Sequence, residues 1–504
     1  MPKNLRAPDR RHAPGRALWL LGPAMVAGVA YLDPGNVASN MTAGAAFGYL
    51  LVWVVVLGNV MAWLIQYLSA KLGIVTGESL PQVLGRRIRR PWARRAYWLQ
   101  AELVAMATDV AEVIGGAVAL YLLFGVPLLW GGVITGVVSM ILLLVQTRRG
   151  ARAFETVLIG LLLVIAVGFS FGLFFAPPAA EGVIGGLLPR FEGTESVLLA
   201  ASILGATIMP HAIYAHSALA RDRFAPTPGT PQTTTDATAQ ASTGGPGRTP
   251  IRSTAPLGAA AADAPAPRTS AATTAADPIS PYGAATPASL SPAAPRSAPA
   301  PTTHDPATTA ASSLERARGI ATPRLLRATR WDVTIALAVA GTVNLAILLL
   351  AAANLAGVDG TDSLEGAYAA LRDGLGPLVA TLFAVGLLAS GLASTSVGAY
   401  AGAEIMHGLL RIRVPLLARR LVTLIPALVI LALGVDPTLA LVLSQVVLSF
   451  GIPFALVPLV ALTAQTAVLG SYRNRVATTV AGVAASVFLI TLNVVLLWLV
   501  FTGG

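Results

Sequence analysis

The sequence predicts an all-α integral membrane protein with eleven transmembrane helices, and three observations indicate this fold class. First, 55% of the 504 residues are hydrophobic and only 11% are charged, whereas soluble domains carry about 25% charged residues. Second, runs of about 20 apolar residues, the length that crosses a bilayer, recur along the chain. Third, Lys and Arg residues are concentrated between alternate runs, as in the cytoplasmic loops of membrane proteins. This composition excludes an ordinary soluble enzyme.

The apolar runs define eleven candidate spans. In chain order they are 17–42, 48–71, 97–123, 128–146, 154–176, 196–219, 333–357, 376–406, 420–435, 438–466 and 477–501. The first run follows a basic start that is typical of a signal peptide, but no small-residue cleavage site comes after it, and we interpret it as a span. The ninth run is short, and Arg419 and Arg420 at its start are expected to extend toward the membrane surface.

The distribution of basic residues predicts the orientation of the chain. All but two of the 34 Lys and Arg residues lie in the N-terminal tail, in loops or at span ends that the eleven spans place on one side of the membrane. Because positively charged loops remain cytoplasmic, we predict a plasma (inner) membrane protein with a cytoplasmic N-terminus and an external C-terminus. The net charge of +11 is thereby explained, and we predict no nucleic-acid partner.

The segment between the sixth and seventh spans has a different composition. Residues 224–320 are mainly Ala, Pro and Thr, with few large apolar side chains. Such a stretch cannot bury enough apolar surface to offset the entropy lost on ordering. We therefore predict a disordered cytoplasmic loop, with bounds at 222–325.

Two spans contain helix-breaking sequences at corresponding positions. Span one is interrupted by Asp33-Pro34-Gly35-Asn36 and span six by Met209-Pro210. Proline removes a backbone donor and glycine disfavours a helix, so both spans are expected to break near mid-membrane. Five spans separate the breaks, which gives the two halves opposite orientations. Paired broken helices of this kind are typical of transporters built from inverted repeats, with the substrate site where the breaks meet.

This pattern predicts two five-helix repeats and one added helix. The predicted segments are a cytoplasmic tail (1–16), a first repeat (17–176), an external loop (177–195), a second repeat (196–467) and an eleventh helix (477–501). The loop 222–325 interrupts the second repeat.

The residues at the breaks suit a transition-metal ion. Asp33 offers a carboxylate and Asn36 an amide oxygen, while Pro210 is expected to free the carbonyl of Ala206, and Met209 adds a thioether. Oxygen ligands alone would favour Mg²⁺ or Ca²⁺, whereas a sulfur ligand favours softer ions such as Mn²⁺ or Fe²⁺. The chain has no cysteine, so any sulfur ligand must be methionine. A methionine in an apolar span is more often a packing residue, and this alternative remains open.

Four segments together resemble the Nramp family of proton-coupled divalent-metal transporters, and more narrowly its bacterial manganese transporters. They are DPGNVASNMTAGAAFGY (33–49), ATDVAEVIGGAVAL (107–120), GATIMPHAIYAHSAL (205–219) and SQVVLSFGIPFALVPL (444–459). The resemblance covers essentially all the spans and excludes 224–320. It implies a LeuT-type fold, in which spans 1–5 and 6–10 are the inverted repeats, and metal binding by Asp33, Asn36, Met209 and the Ala206 carbonyl. It also implies that Gln445 approaches the ion in some states.

Span three carries three acidic residues, Glu102, Asp109 and Glu112, whose spacing places them on one helix face. Ionisable residues inside a membrane are costly and are therefore functional candidates. Asp33 can bind either a proton or a metal ion, because a divalent charge arriving beside it would expel the proton. The resemblance implies that the positions of Asp109 and Glu112 take part in proton movement.

The remaining proton-pathway candidates are basic. By the same resemblance, His211 lies near the metal-binding aspartate, and Arg419 and Arg420 match a family arginine pair expected to neutralise a carboxylate of span three. Simple ion pairing remains the alternative role for these charges. His216 is either a gating or proton-pathway residue or a packing residue. Glu404, at the end of span eight, is expected to be solvated.

The predicted function is symport of Mn²⁺, and also Fe²⁺, with protons into the cytoplasm by alternating access. The expected partners are divalent metal ions, protons and the lipid bilayer, with the metal as cargo and no cofactor. The alternatives are another LeuT-type transporter, for Mg²⁺ or for an amino acid with Na⁺, and a passive channel. A membrane-embedded hydrolase is disfavoured, because the spans contain no paired-Asp, Ser/His or HExxH arrangement.

Overall fold

Helices form every regular element in the parts of the chain that the computed structural model describes, namely residues 22–149, 151–225, 306–412 and 414–502. All of these parts belong to one unit. The predicted tail, 1–16, and most of the predicted loop, 222–325, lie outside the described residues.

The helices of the first half precede the gap at 226–305. They are α1 (Pro23–Ala30), α2 (Pro34–Phe47), α3 (Val52–Thr76), α4 (Leu80–Arg87), α5 (Pro91–Phe124), α6 (Leu128–Arg149), α7 (Ala151–Ser170), α8 (Ala180–Gly185), α9 (Gly193–Thr207) and α10 (Pro210–Arg223). A short 3₁₀ helix, Phe171–Phe174, continues α7.

The helices of the second half follow the gap. They are α11 (Pro306–Arg318), α12 (Thr322–Asn354), α13 (Leu364–Leu375), α14 (Pro377–Ile405), α15 (Leu416–Ala432), α16 (Pro437–Ala464), α17 (Thr466–Leu469) and α18 (Val476–Thr502). A π-helical turn, Met406–Leu410, extends α14, and a 3₁₀ turn, Gly470–Tyr472, follows α17.

Eight helices within the described residues are long and apolar enough to cross a membrane, which confirms a multi-pass helical protein. The broken pair α9 and α10 counts as one of these eight. Predicted spans one, four and nine correspond to shorter helices or helix pieces: α1 with α2, the apolar part of α6, and α15. The count of eleven spans therefore stays a prediction.

Both predicted helix breaks are present. Helix α1 ends at Ala30 and α2 begins at Pro34, while α9 ends at Thr207 and α10 begins at Pro210. Each second piece thus starts with proline at its first position, where the missing N–H would have had no helical partner. The breaks lie where the sequence predicts them because proline and glycine act locally.

The predicted loop boundary at 325 is wrong. Helix α11 occupies Pro306–Arg318, and α12 begins at Thr322, eleven residues before the predicted start of span seven at 333. The side chain of Leu314 lies against Gly77 at the end of α3, and Arg318 donates a hydrogen bond to the carbonyl of Ile74. This piece of the loop orders because the body of the protein supplies it with packing partners.

Two close helix approaches position the breaks. A Cβ on Gly115 of α5 would lie 2.0 Å from Cβ of Pro34, so only glycine lets α5 approach the first break. A Cβ on Gly205 of α9 would lie 2.0 Å from the carbonyl oxygen of Gln445, which brings α16 against the second break. Both breaks are therefore enclosed by neighbouring helices.

Candidate metal site and charge network

Asp33 lies at the first break and is fully buried. It is the N-cap of α2, and its Oδ1 accepts a hydrogen bond of 2.9 Å from the backbone N–H of Asn36. Its Oδ2 accepts a second bond, of 3.0 Å, from Nε2 of Gln445. The carboxylate is thus held by the start of its own helix and by α16.

Asn36 joins the two breaks. Its Nδ2 donates to the carbonyl of Tyr31, at 2.5 Å, and to the carbonyl of Ala206, at 3.4 Å. Its Oδ1 accepts from Nδ2 of Asn40 at 2.7 Å. The unwound segments of span one and span six therefore lie side by side, as the sequence predicts.

Ala206 and Met209 are both fully buried at the second break. The carbonyl of Ala206 would bond to the N–H four residues later in a continuous helix, but residue 210 is proline and has none. Its single described partner is the long bond from Asn36, which leaves it capacity to bind a cation. Met209 immediately precedes α10, at the start of the second helix piece.

Two further polar side chains bind the unwound segment of span one, and neither is among the site residues predicted from the sequence. Nδ2 of Asn344, on α12, donates to the carbonyl of Tyr31 at 3.0 Å, and the hydroxyl of Ser390, on α14, donates to the carbonyl of Leu32. Both residues are buried. In the sequence, each is a polar residue within an apolar run, and this feature alone could have marked it as a functional candidate.

Donor chemistry limits how a metal could bind here. Among the described residues, no group of three or more His, Cys, Asp and Glu side chains could hold a metal ion. Amide, carbonyl and thioether groups of the two breaks, together with water, are therefore the candidate ligands for the remaining positions of an ion at Asp33.

The three acidic residues of α5 and the two arginines of α15 form one buried charge network. Arg419 pairs with Glu102 at 3.0 Å and with Asp109 at 3.7 Å, while Arg420 pairs with Asp109 at 2.5 Å and with Glu112 at 3.3 Å. The predicted pairing is present. The predicted extension of both arginines to the membrane surface is wrong, because Arg419 is 5% and Arg420 1% exposed. Carboxylates on another helix attract them inward.

The two histidines of α10 have different partners. Nδ1 of His211 lies 3.1 Å from the hydroxyl of Thr108 on α5, and Nδ1 of His216 lies 2.8 Å from Oε1 of Gln66 on α3. Both histidines are buried. Thr108 and Gln66 were not predicted, because nothing in the sequence indicates which helix faces meet.

A second charge cluster lies where α4, α10 and α14 meet. Glu404 accepts from the hydroxyl of Ser79, at 2.6 Å, and from Nη1 of Arg221, at 2.7 Å. Tyr400 donates to Asp222 at 2.6 Å. The expectation that Glu404 is solvated is wrong, because it is 8% exposed and has partners on both neighbouring segments.

A family model and curated relatives both match this chain over most of its length. A family model for Nramp (natural resistance-associated macrophage protein-like) proteins matches residues 24–244 and 307–499. The divalent metal cation transporter MntH of Mycobacterium tuberculosis is 51% identical over 498 residues, covering 99% of this chain and 95% of that protein.

Two solved structures are similar in fold. A manganese transporter of Eremococcus coleocola is 27% identical with a TM-score of 0.70, over 97% of this chain and 88% of that one. MhsT, solved with L-phenylalanine, has a TM-score of 0.52 at 11% identity, over 97% and 99% of the two chains, and shows the fold alone. The predicted LeuT-type fold is confirmed. Since the family model matches both halves of the sequence and half of all residues are shared with MntH, the chain belongs to the Nramp family.

Proposed function

We propose that this protein carries divalent transition-metal ions across the membrane, with Mn²⁺ as a principal substrate and Fe²⁺ as a further one. The observation that carries the proposal is the meeting of the two helix breaks around the buried carboxylate of Asp33. The relatives named divalent metal cation transporter and manganese transporter support the same substrate class.

The proposed ligands are Asp33, Asn36, the carbonyl of Ala206 and Met209, with Gln445 joining when the ion is enclosed. A carboxylate and carbonyl oxygens suit any divalent cation, whereas a thioether adds preference for the softer first-row metals. Nε2 of Gln445 donates a hydrogen bond to Oδ2 of Asp33, whereas Oε1 of Gln445 has no hydrogen-bond partner among the described residues. An arriving cation would displace that N–H, and a rotated Gln445 could then offer its free oxygen.

We propose that protons move with the metal. The buried network holds three carboxylates, Glu102, Asp109 and Glu112, against two guanidinium groups, so it is neutral only with one proton bound. Buried uncompensated charge is costly, which favours keeping that proton until other charges change. Arrival of a divalent cation at Asp33 is such a change, because its field reaches the nearby α5 carboxylates.

The same reasoning assigns proton-pathway roles to Asp33, Asp109, Glu112, His211, His216, Arg419 and Arg420. His211 touches Thr108, one residue before Asp109, and so connects α10 to the network. His216 is paired with Gln66 and belongs to the pathway only if that contact opens.

The proposed orientation follows from the basic residues. A cytoplasmic N-terminus, an external C-terminus and a plasma-membrane location place nearly all Lys and Arg residues in the cytoplasm. Transport coupled to the inward proton gradient then runs toward the cytoplasm.

The test is uptake into proteoliposomes that report internal Mn²⁺ and internal pH together. We expect Mn²⁺ entry with acidification of the lumen, loss of both in Asp33→Ala, and competition by Fe²⁺. Metal entry without acidification would favour a channel and overturn the coupling. Preferred Mg²⁺ entry, or Na⁺-dependent amino-acid entry, would overturn the substrate. An anomalous scattering peak of soaked Mn²⁺ away from Asp33 and Met209 would overturn the site.

A further inference from the structure

Arg420 is held by two hydroxyl groups as well as by carboxylates. Its Nε donates to the hydroxyl of Ser139, on α6, at 3.1 Å, and its Nη2 donates to the hydroxyl of Thr395, on α14, at 3.3 Å. Its Nη1 donates to Asp109 and Glu112. All three guanidinium nitrogens thus have a partner, and both hydroxyl partners are buried.

Each hydroxyl is arranged so that it can only accept from Arg420. Ser139 donates its own proton to the carbonyl of Gly136, and Thr395 donates its proton to the carbonyl of Gly391, each at 2.7 Å. A hydroxyl has one proton, so the oxygen facing Arg420 presents lone pairs. That arrangement matches a guanidinium, which has donors only and remains charged.

The bonds to Ser139 and Thr395 fix the plane of the guanidinium. A planar group held at two nitrogens by neutral acceptors on different helices cannot turn freely about its long side chain. The third nitrogen then points between Asp109 and Glu112. Without the hydroxyls, Arg420 could move toward either carboxylate alone.

Helix α14 also makes room for the neighbouring arginine. A Cβ on Gly402 would lie 1.9 Å from Cζ of Arg419, and a Cβ on Gly398 would lie 3.1 Å from Oε1 of Glu112. Thr395, Gly398 and Gly402 recur at helical spacing and share one face of α14. This face therefore contacts both arginines of the network.

We propose that Ser139 and Thr395 are positioning residues for proton coupling, which hold Arg420 so that it acts on Asp109 and Glu112 together. The inference rests on the proposed symport function and extends it to two residues outside the charged set. The charged or titratable groups that face this network are Glu102, Asp109, Glu112, Arg419, His211 and Asp33.

The experiment compares Thr395→Val and Ser139→Ala with the unmodified protein in proteoliposomes that report Mn²⁺ and pH. Losing a hydrogen bond to a charged group typically shifts an equilibrium roughly tenfold. We therefore expect Arg420 to be held between the two carboxylates less often, and the ratio of protons to Mn²⁺ to fall roughly tenfold. Mn²⁺ entry itself should remain, and its pH profile should flatten. Thr395→Ser keeps the hydroxyl and should restore the ratio and the profile.

Thr423→Val is the matched control. Thr423 is also a buried threonine, on α15, but among the described residues its hydroxyl has a single partner, the backbone carbonyl of Arg420, to which it donates at 3.2 Å. Its removal should leave the ratio of protons to Mn²⁺ unchanged. Valine has nearly the shape of threonine, and Ser139→Ala supplies an independent second test if Thr395→Val does not fold.

The outcomes separate this inference from the proposed function. If the unmodified protein moves Mn²⁺ without protons, the symport proposal fails and the positioning role fails with it. If the unmodified protein couples and both variants keep its ratio and pH profile, only the positioning role is wrong. A parallel loss of Mn²⁺ and proton entry at constant ratio would show a structural role and would also overturn it.

Discussion

Met209 is the residue on which the metal preference is proposed to depend. Met209 is fully buried at the second break. It lies three residues after Ala206, whose carbonyl lacks a helical donor and has Asn36 as its partner. A soft sulfur beside hard oxygen ligands penalises Mg²⁺ and Ca²⁺, which gain little from a thioether.

Replacing Met209 with alanine should therefore change selectivity as well as affinity. We expect the apparent affinity for Mn²⁺ to fall roughly 10- to 100-fold, as is common when a group that supports a metal site is lost, with Mg²⁺ or Ca²⁺ entry gained. Met41→Ala is the control, because Met41 is an equally buried methionine of α2 that the site does not use. Unchanged selectivity in Met209→Ala would show that Met209 only packs.

Gly35 controls the position of Gln445. A Cβ at residue 35 would lie 1.8 Å from Nε2 of Gln445, so Gly35→Ala must displace the amide from Asp33. We expect the KM for Mn²⁺ to rise roughly tenfold, because a displaced Gln445 can no longer offer its amide oxygen to the ion, and we expect Gln445→Ala to have the same effect.

The double variant distinguishes this cause from general damage. With Gln445 truncated, the methyl group at residue 35 has room, so Gly35→Ala should add little in the Gln445→Ala background. Gly160→Ala is the control, since a Cβ on Gly160 would have open space within 4 Å in the part of the chain that the structure describes. Additive losses in the double variant would contradict the proposed contact.

At the level of helices, the sequence predicts features that arise locally and misses those that arise from packing. The breaks at Pro34 and Pro210 are predictable because proline and glycine act on their own backbone. The inward direction of Arg419 depends on Glu102, more than 300 residues away in the chain, and no local signal carries that information. The same holds for Asn344 and Ser390, whose polarity was visible but whose targets were not.

The cluster around Glu404 connects three helices that must separate if α10 moves. Arg221 forms two bonds to Glu404, of 2.7 and 3.3 Å, and Ser79, which caps α4, adds a third. If the far end of α10 moves away from α4 and α14, these bonds must break first.

Glu404→Gln should therefore favour the state in which this end of the protein is open. The chain has no cysteine, so a single reporter, Ala220→Cys, can be labelled without background. Ala220 is 1% exposed, and its labelling rate should rise roughly tenfold when the charge-assisted bonds between Arg221 and Glu404 are lost. Glu78→Gln is the control, because Glu78 pairs with Arg86 at the surface and exposed pairs contribute little. Equal labelling rates in the two variants would show that the bonds between Arg221 and Glu404 do not keep this end of the protein closed.

At the scale of the whole molecule, we expect the long Ala/Pro/Thr-rich segment and helix α11, which follows it, to contribute differently to the stability of the fold. Helix α11 contacts the end of α3 through Leu314 and Arg318, and Thr308 lies against Gly470 in the turn before α18. Within its own segment, Glu315 accepts from the backbone N–H of Thr322 and so fixes the entry into α12. These contacts connect the loop's end to both halves of the protein.

Replacing 226–305 with a short Gly/Ser linker should therefore leave Mn²⁺ uptake and thermal stability nearly unchanged. Extending the deletion to 226–320 removes α11 as well, and the midpoint of thermal unfolding should fall by roughly a few degrees, since a handful of buried hydrogen bonds and apolar contacts are lost. A Leu314→Ala variant of the full chain should reproduce part of that loss, whereas Ser313→Ala, at an exposed neighbouring position, should not. If the two deletions unfold at the same temperature, α11 does not stabilise the fold, and its contacts with α3 and Gly470 are incidental.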